Sequence, residues 1–391
     1  MEVAQLEVAV VVTKKEILFK VSTAGLILTN SMAEMMAKGT WTSKLLINFY
    51  DQDSKGGHQV FDGSKEEGAT VFEPMLFLSH QIDETTNISG NFTLDAWSAE
   101  SDTIMDANTG ESGEGIGGQS RTSANVSYAK ETESGTWTPR IGYSSEYDYS
   151  SINTGLNWSR AFAEDNFVLN INGQYFKDKN KLFNYTTELI GDGENKNVYS
   201  FDISATQMLT RNSIVLFGLS YINQKGALES IRNTVAYQGA RTTEELPNSR
   251  SRNAYYTQYI HALNDNHALS FKYRYYNDDW DLSAHSAETS LRSFIQDEDG
   301  FIELSYRYHD QDQTKYYTQE YNGKDEFRTS DSDLASFSSH RFGFHYSYSL
   351  GEKALPFVTF DEVDLTTGAY RYFRSNDLSY NTVQFGIGVQ F

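Results

Sequence analysis

Apolar and polar side chains alternate with period two along most of this chain. Phe167, Leu169, Ile171 and Tyr175 alternate with Asn170, Asn172 and Gln174. Leu269, Phe271, Tyr273 and Tyr275 alternate with Ser270, Lys272 and Arg274, and Phe342, Phe344, Tyr346 and Tyr348 with Arg341, Gly343, His345 and Ser347. The final residues keep the rule without a break: Val383, Phe385, Ile387, Val389 and Phe391 against Gln384, Gly386, Gly388 and Gln390. A period of two places the two sets on opposite faces of a β-strand. Strands are predicted to begin near residues 41, 69, 87, 119, 136, 150, 166, 196, 212, 249, 266, 280, 300, 336, 354 and 380. That is roughly 16 strands, bracketed by 14 and 18, an even number as single-chain bacterial barrels have.

The predicted connections alternate in length. The short ones are 83–86, 131–135, 163–165, 210–211, 264–265, 293–299 and 350–353. The long ones, 52–68, 100–118, 179–195, 225–248, 313–335 and 367–379, all fall at odd positions in the strand order. Outer-membrane barrels have short periplasmic turns and long outer loops, so both termini are expected in the periplasm. A soluble sandwich or propeller has no reason to keep this asymmetry. The expected fold class is all-β: a transmembrane, antiparallel, up-and-down β-barrel.

One face of these strands is rich in apolar side chains and the other carries full charges. A membrane barrel turns its apolar face to lipid and its polar face to the lumen. Asp202, Lys272, Arg274, Glu303, Arg307, Arg341 and His345 are therefore expected to line the lumen. The strand from Trp280 to Arg292 breaks phase. Asp281, Ser283 and His285 share one face, while Glu288, Ser290 and Arg292 continue the polar set one residue out of step. A β-bulge near Ser286 would repair the phase and bring Asp281 and His285 into the lumen set.

Composition sharpens the picture. Mean hydropathy is -0.55, and outside the amino-terminal region no stretch approaches the ~18 apolar residues of a spanning helix. Closed strands are then the remaining way to cross a bilayer. The 26 Tyr, 24 Phe and 5 Trp suit aromatic girdles at two membrane interfaces. Only 4 Pro fits long strands that use every backbone N–H. The absence of Cys excludes disulfides, thiolate nucleophiles, cysteine zinc sites and covalent haem attachment. A net charge of -21 argues against nucleic-acid partners and for acidic outer loops.

Residues 1–33 read as a non-mature leader. Lys14, Lys15 and Lys20 precede the short apolar run Val21 to Leu28, and Ser31-Met32-Ala33 fits the small-x-small cleavage rule. Because 1–11 carries acidic but no basic side chains, the start is expected near Val11 or Val12. Residues 34–391 then form one barrel domain.

Few constellations carry chemistry. His285 with Asp278, Asp279 and Asp281 is the strongest candidate for a metal or acid–base site, yet 277–279 also reads as a turn with Trp280 in the outer girdle. Acidic clusters at Asp102, Asp106, Glu111 and Glu114, at Asp192 and Glu194, and at Asp325, Glu326, Asp331 and Asp333 do not have calcium-loop spacing. His340 and His345, five apart on one strand, face opposite sides and cannot cooperate. The glycines at 113, 115, 117 and 118 lack the strand-to-helix context of a phosphate loop. No catalytic residue, metal or cofactor is assigned. The expected function is a pore or transport barrel for small polar solutes. The alternative is a structural or docking barrel serving an envelope redox partner.

Several segments resemble one family: 48–57 (NFYDQDSKGG), 246–254 (LPNSRSRNA), 274–288 (RYYNDDWDLSAHSAE), 306–317 (YRYHDQDQTKYY) and 330–342 (SDSDLASFSSHRF). Their order and spacing resemble the bacterial domain-of-unknown-function 3570 family of predicted outer-membrane proteins, from about residue 41 to Phe391. Ala284 departs from the family, which often has Ser there. The resemblance implies an outer-membrane barrel with no established activity. It also implies association with a lipoprotein, a thioredoxin-like protein and an FAD:protein FMN transferase, hence envelope redox or flavin biology. A last strand closing on Phe391 resembles the signal that barrel-assembly machinery reads. Outer-membrane lipid and lipopolysaccharide, that machinery and a periplasmic or lipoprotein partner are the expected partners.

Overall fold

The computed structural model describes residues 9–12, 17–20, 36–54, 69–99, 119–181, 183–184, 189–229, 234–295 and 299–391. Most of the expected leader, and the acidic, glycine-rich stretch at 102–118, lie outside the described residues. Of the leader, Ala9–Val12 pairs with Ile17–Lys20.

Sixteen strands close into one antiparallel barrel. They are β1 (Trp41–Ser54), β2 (Ala69–Asp83), β3 (Thr86–Ala99), β4 (Gln119–Thr132), β5 (Gly135–Ser145), β6 (Tyr149–Phe162), β7 (Phe167–Asn180) and β8 (Glu194–Thr210). The second half is β9 (Ser213–Gly226), β10 (Ser249–Asn264), β11 (His267–Asp278), β12 (Ser283–Ile295), β13 (Gly300–Gln311), β14 (Phe337–Ser349), β15 (Glu362–Arg374) and β16 (Leu378–Gln390). Each strand pairs with its neighbours in sequence, and β16 returns to β1. At this seam the Trp41 and Phe391 backbones exchange hydrogen bonds of 2.7 and 2.9 Å.

The alternation decides which side faces out. Ile141, Phe217, Leu304 and Phe385 are each more than half exposed, although all four are apolar. Asn157, Asn172 and Thr93 on neighbouring faces are only 1–3 % exposed. This inversion of the usual burial is what hydrocarbon outside and a polar interior require. Aromatic rings band both ends of the outer surface. Trp41 stacks on His80 at 4.1 Å and Trp137 faces Trp158 at 6.2 Å near the short turns. Tyr175–Tyr199 and Tyr255–Tyr275 lie towards the other end.

Two expectations about connections are corrected. The segment 350–361 is a longer excursion carrying its own small hairpin, Lys353–Leu355 with Val358–Phe360, so β15 begins at Glu362 rather than near 354. The expected long loop 367–379 shrinks to 375–377, because the alternating run from Val363 onward belongs to β15. Both differences follow from one apolar stretch, Leu355 to Phe360, which satisfies a strand pattern while turning on itself.

The bulge expected near Ser286 is absent. β12 keeps continuous register with β11 and β13, with Arg274↔Ser286 and Ser286↔His309 as partners. Register shifts occur instead at the short-turn ends, at 81/83, 208/210 and 262/264.

At the long-loop end, segments 234–248 and 312–336 fold together into a cap. The strand Thr234–Tyr237 pairs with Ala240–Thr243, and Glu245 and Arg328 exchange backbone hydrogen bonds of 3.1 and 2.7 Å. Thr314 and Thr329 are fully buried within it. Trp280, expected in the outer girdle, is only 3 % exposed. Its carbonyl accepts from Thr314 Oγ1 at 2.9 Å and its indole donates to the Ser249 carbonyl at 3.0 Å. The cap also reaches β15, where Arg374 donates to Asp333 at 2.7 Å and to the Ser332 carbonyl.

Candidate functional site: the polar lumen

Two walls of different chemistry face each other's side of the barrel interior. On β3 to β7 the inward residues are mostly neutral amides and hydroxyls: Asn91, Asn125, Asn153, Asn157, Asn170 and Asn172. They bond sideways, as in Asn153 to Asn125 at 3.4 Å and Gln174 to Asn153 at 3.4 Å. Arg140 is a cation among them; it donates to Asn172, and to Gln174 at 3.3 Å.

The wall from β10 to β14 is cationic. Register aligns Lys272, Glu288, Arg307 and Arg341 in one row across four strands. Glu288 takes Lys272 at 3.3 Å on Oε1 and Arg341 at 2.9 Å on Oε2, while Arg307 acts on the same carboxylate electrostatically. One carboxylate thus serves three cations. Nearer the short turns, Arg292 pairs with Glu303 at 2.7 Å, and His345 stacks on Phe301 at 5.4 Å. Towards the cap, Arg274, Ser286 and His309 form another row, with Ser286 Oγ 2.8 Å from His309 Nδ1.

The uppermost rung is saturated. Asp278 Oδ2 accepts from Arg250 Nε at 2.9 Å and from the Tyr276 hydroxyl at 2.8 Å. Its Oδ1 accepts the Trp280 and Leu282 backbone N–H groups, both at 3.0 Å. Arg250 also lies 4.3 Å from the Trp280 ring, so the cap's anchor and the lumen's edge share one guanidinium.

Of the residues singled out from sequence, Lys272, Arg274, Glu303, Arg307, Arg341 and His345 share this inward face. Asp202 lies across from them on β8, accepting from Ser200 at 3.3 Å and from Ser220. Asp281 and His285 do not join them. Asp281 occupies the 279–282 turn with φ 65°, exposed and 3.6 Å from Lys315. His285 is on the outer face of β12, bonded through Nδ1 to the Tyr273 hydroxyl at 2.7 Å. The correction has a simple cause. Near the rim the outer face can meet water, so polar residues there occupy the outward phase without any bulge. His285 is therefore parted from Asp278, which faces inward. Among the described residues no group of three or more His, Asp or Glu is placed to hold a metal. Arg140, Arg250, Arg252 and Glu288 were missed as site residues. Arg250 and Arg252 share parity with Tyr256 and Gln258, and that was the available signal.

The fold is similar to that of a bacterial polysaccharide outer membrane secretin, with TM-score 0.50 and 9% identity, over 89% of this chain and 98% of that one. It is also similar to Acinetobacter baumannii OccAB1, with TM-score 0.44 and 10% identity over 93% and 99% of the two chains. For Pseudomonas aeruginosa OprD the values are 0.42 and 9%, over 91% and 97%. At these identities the likeness is one of fold. No curated protein matches the sequence. A family model described as protein of unknown function DUF3570 matches residues 98–362, from the end of β3 to the first residue of β15, and by that match the chain belongs to this family.

Proposed function

We propose that this chain is an outer-membrane barrel that passes small polar solutes. The observation that carries the reading is the inversion of its faces: a closed sixteen-strand ladder, apolar outside and charged within. Barrels of about 16 strands are wide enough to leave an aqueous channel. With long loops outside, the termini and the 350–361 hairpin face the periplasm, where a partner could meet them, and lipopolysaccharide surrounds the outer rim. The reading gives the barrel no catalysis and no cofactor of its own. Planar-bilayer recording on purified protein tests it: discrete conductance steps are expected, and a barrel sealed at every voltage would overturn it.

The folded cap favours a second reading, a plugged structural or docking barrel. Arg250, Asp278 and Arg374 point inward yet have almost no exposed side-chain surface, because the cap lies over them. Copurification of a fixed envelope partner, with no conductance before or after cap removal, would favour that alternative.

A further inference from the structure

We infer that the β10–β11 wall contains a binding site for a small oxyanion, a carboxylate or phosphate group, held by Arg252 and Arg274. This deepens the pore reading by naming the charge class of solute. The chain carries net charge -21, so a general attraction for anions is not expected. The local wall departs from it. Arg250, Arg252, Lys272, Arg274, Arg292, Arg307 and Arg341 face inward, outnumbering the inward carboxylates of Asp278, Glu288 and Glu303 on the same strands.

Among the described residues, Arg252 and Arg274 are the two members of this set that form no hydrogen bond or ion pair. Asp278, opposite on the next strand, and Asp279 act on Arg252 electrostatically, but Asp279 accepts the Ser251 N–H and Asp278 already accepts from Arg250, Tyr276, Trp280 and Leu282. A carboxylate offers about four lone-pair sites, and these are taken. Arg252 Nε is buried with no acceptor, a donor whose satisfaction must come from something else. The charged groups acting on Arg274 are Arg307, of like sign, and Asp202, across the β9–β10 pair. Asp202 is occupied by the Ser200 and Ser220 hydroxyls.

The two arginines flank Tyr276 along the wall. Arg252 is level with Asp278 and Arg274 level with Tyr256, with Ala254 and Ala284 on either side of Tyr276. The neighbours of Tyr276 on the two adjoining strands therefore carry only methyl side chains. Tyr256 is directed over Gly218, where a Cβ would overlap its ring. Two arginines thus stand on one inward face, with the Tyr276 ring between them along the wall and Tyr256 opposite Arg274. Guanidinium is the group best matched to two oxygens of a carboxylate or phosphate, and an unpaired charge away from bulk water is stabilised by a counter-charge.

The test is equilibrium binding of inorganic phosphate to the full-length barrel folded in detergent, followed by phosphorus NMR line broadening, beside bilayer recording. Saturable binding is expected, weakened about tenfold or more by R252Q/R274Q, the scale of losing charge-assisted bonds. R160Q, on the outer face, should leave binding unchanged. If the double variant does not show the heat-modifiable mobility of a folded barrel, the single variants R252Q and R274Q carry the test. Displacement by acetate assigns the site to carboxylates; displacement by sulfate and not acetate assigns it to tetrahedral oxyanions. Both support the inference. Phosphate binding without conductance keeps the site and removes the pore reading. Conductance without phosphate binding, or binding equal in R252Q/R274Q, overturns the site.

Discussion

At the scale of single residues, burial separates structural ion pairs from decorative ones. Asp278 has no exposed side-chain surface and Arg250 is nearly as enclosed. Arg250→Ala would strand a buried carboxylate and should cost about 3–5 kcal/mol, read as a lower urea midpoint for the folded barrel. Asp281, paired with Lys315 on the exposed rim, should behave otherwise: Asp281→Asn is expected to change stability by less than about 1 kcal/mol. Gly386 poses a question of space. A Cβ there would overlap the Leu46 and Thr366 side chains, so Gly386→Val should destabilise the seam by roughly 1–3 kcal/mol through overpacking. An unchanged midpoint would show that Leu46 can move aside.

At the scale of elements, strand positions were legible because alternation is local and strict. The alternating run at Leu269 to Tyr275 falls within β11, and the run at Phe342 to Tyr348 within β14. Residues 350–361 were not legible, since Leu355 to Phe360 carries the strand pattern but returns on itself after three residues. His285 was misplaced for a different reason. Parity tells which residues share a face, but the rim, where the outer face can be polar, depends on how far a strand rises above the bilayer. The cap was beyond reach of periodicity altogether, because Val235, Thr314 and Thr329 are buried by contacts between loops far apart in sequence. On the pore reading, replacing 316–330 with a short Gly-Ser link should raise single-channel conductance. Unaltered conductance would mean that the cap does not limit the path.

For the whole molecule, the inverted faces make a prediction that a soluble barrel would not share. Phe217, two turns of the pleat in from the short-turn end of β9, is 59 % exposed. In water, Phe217→Arg would be harmless. At a bilayer midplane it should cost ~2–4 kcal/mol, measured by denaturant titration of protein folded into lipid vesicles. A neutral result there would remove the membrane reading while leaving the fold intact.

The β1–β16 seam has a consequence for how the chain can be made. Fifteen of the sixteen ladders join strands adjacent in sequence, so hairpin after hairpin can add as a growing sheet. The remaining ladder joins residues as far apart as Asn48 and Gln384, whose amides bond at 2.7 Å. Until that step every intermediate is an open ribbon with two unpaired edges, a state prone to join other chains. Loop closure over such a span makes the step slow relative to local pairing. A chain cut before Leu378 should therefore be recovered as aggregate or proteolytic fragments, with the loss appearing as all or none and not in proportion to the one strand removed.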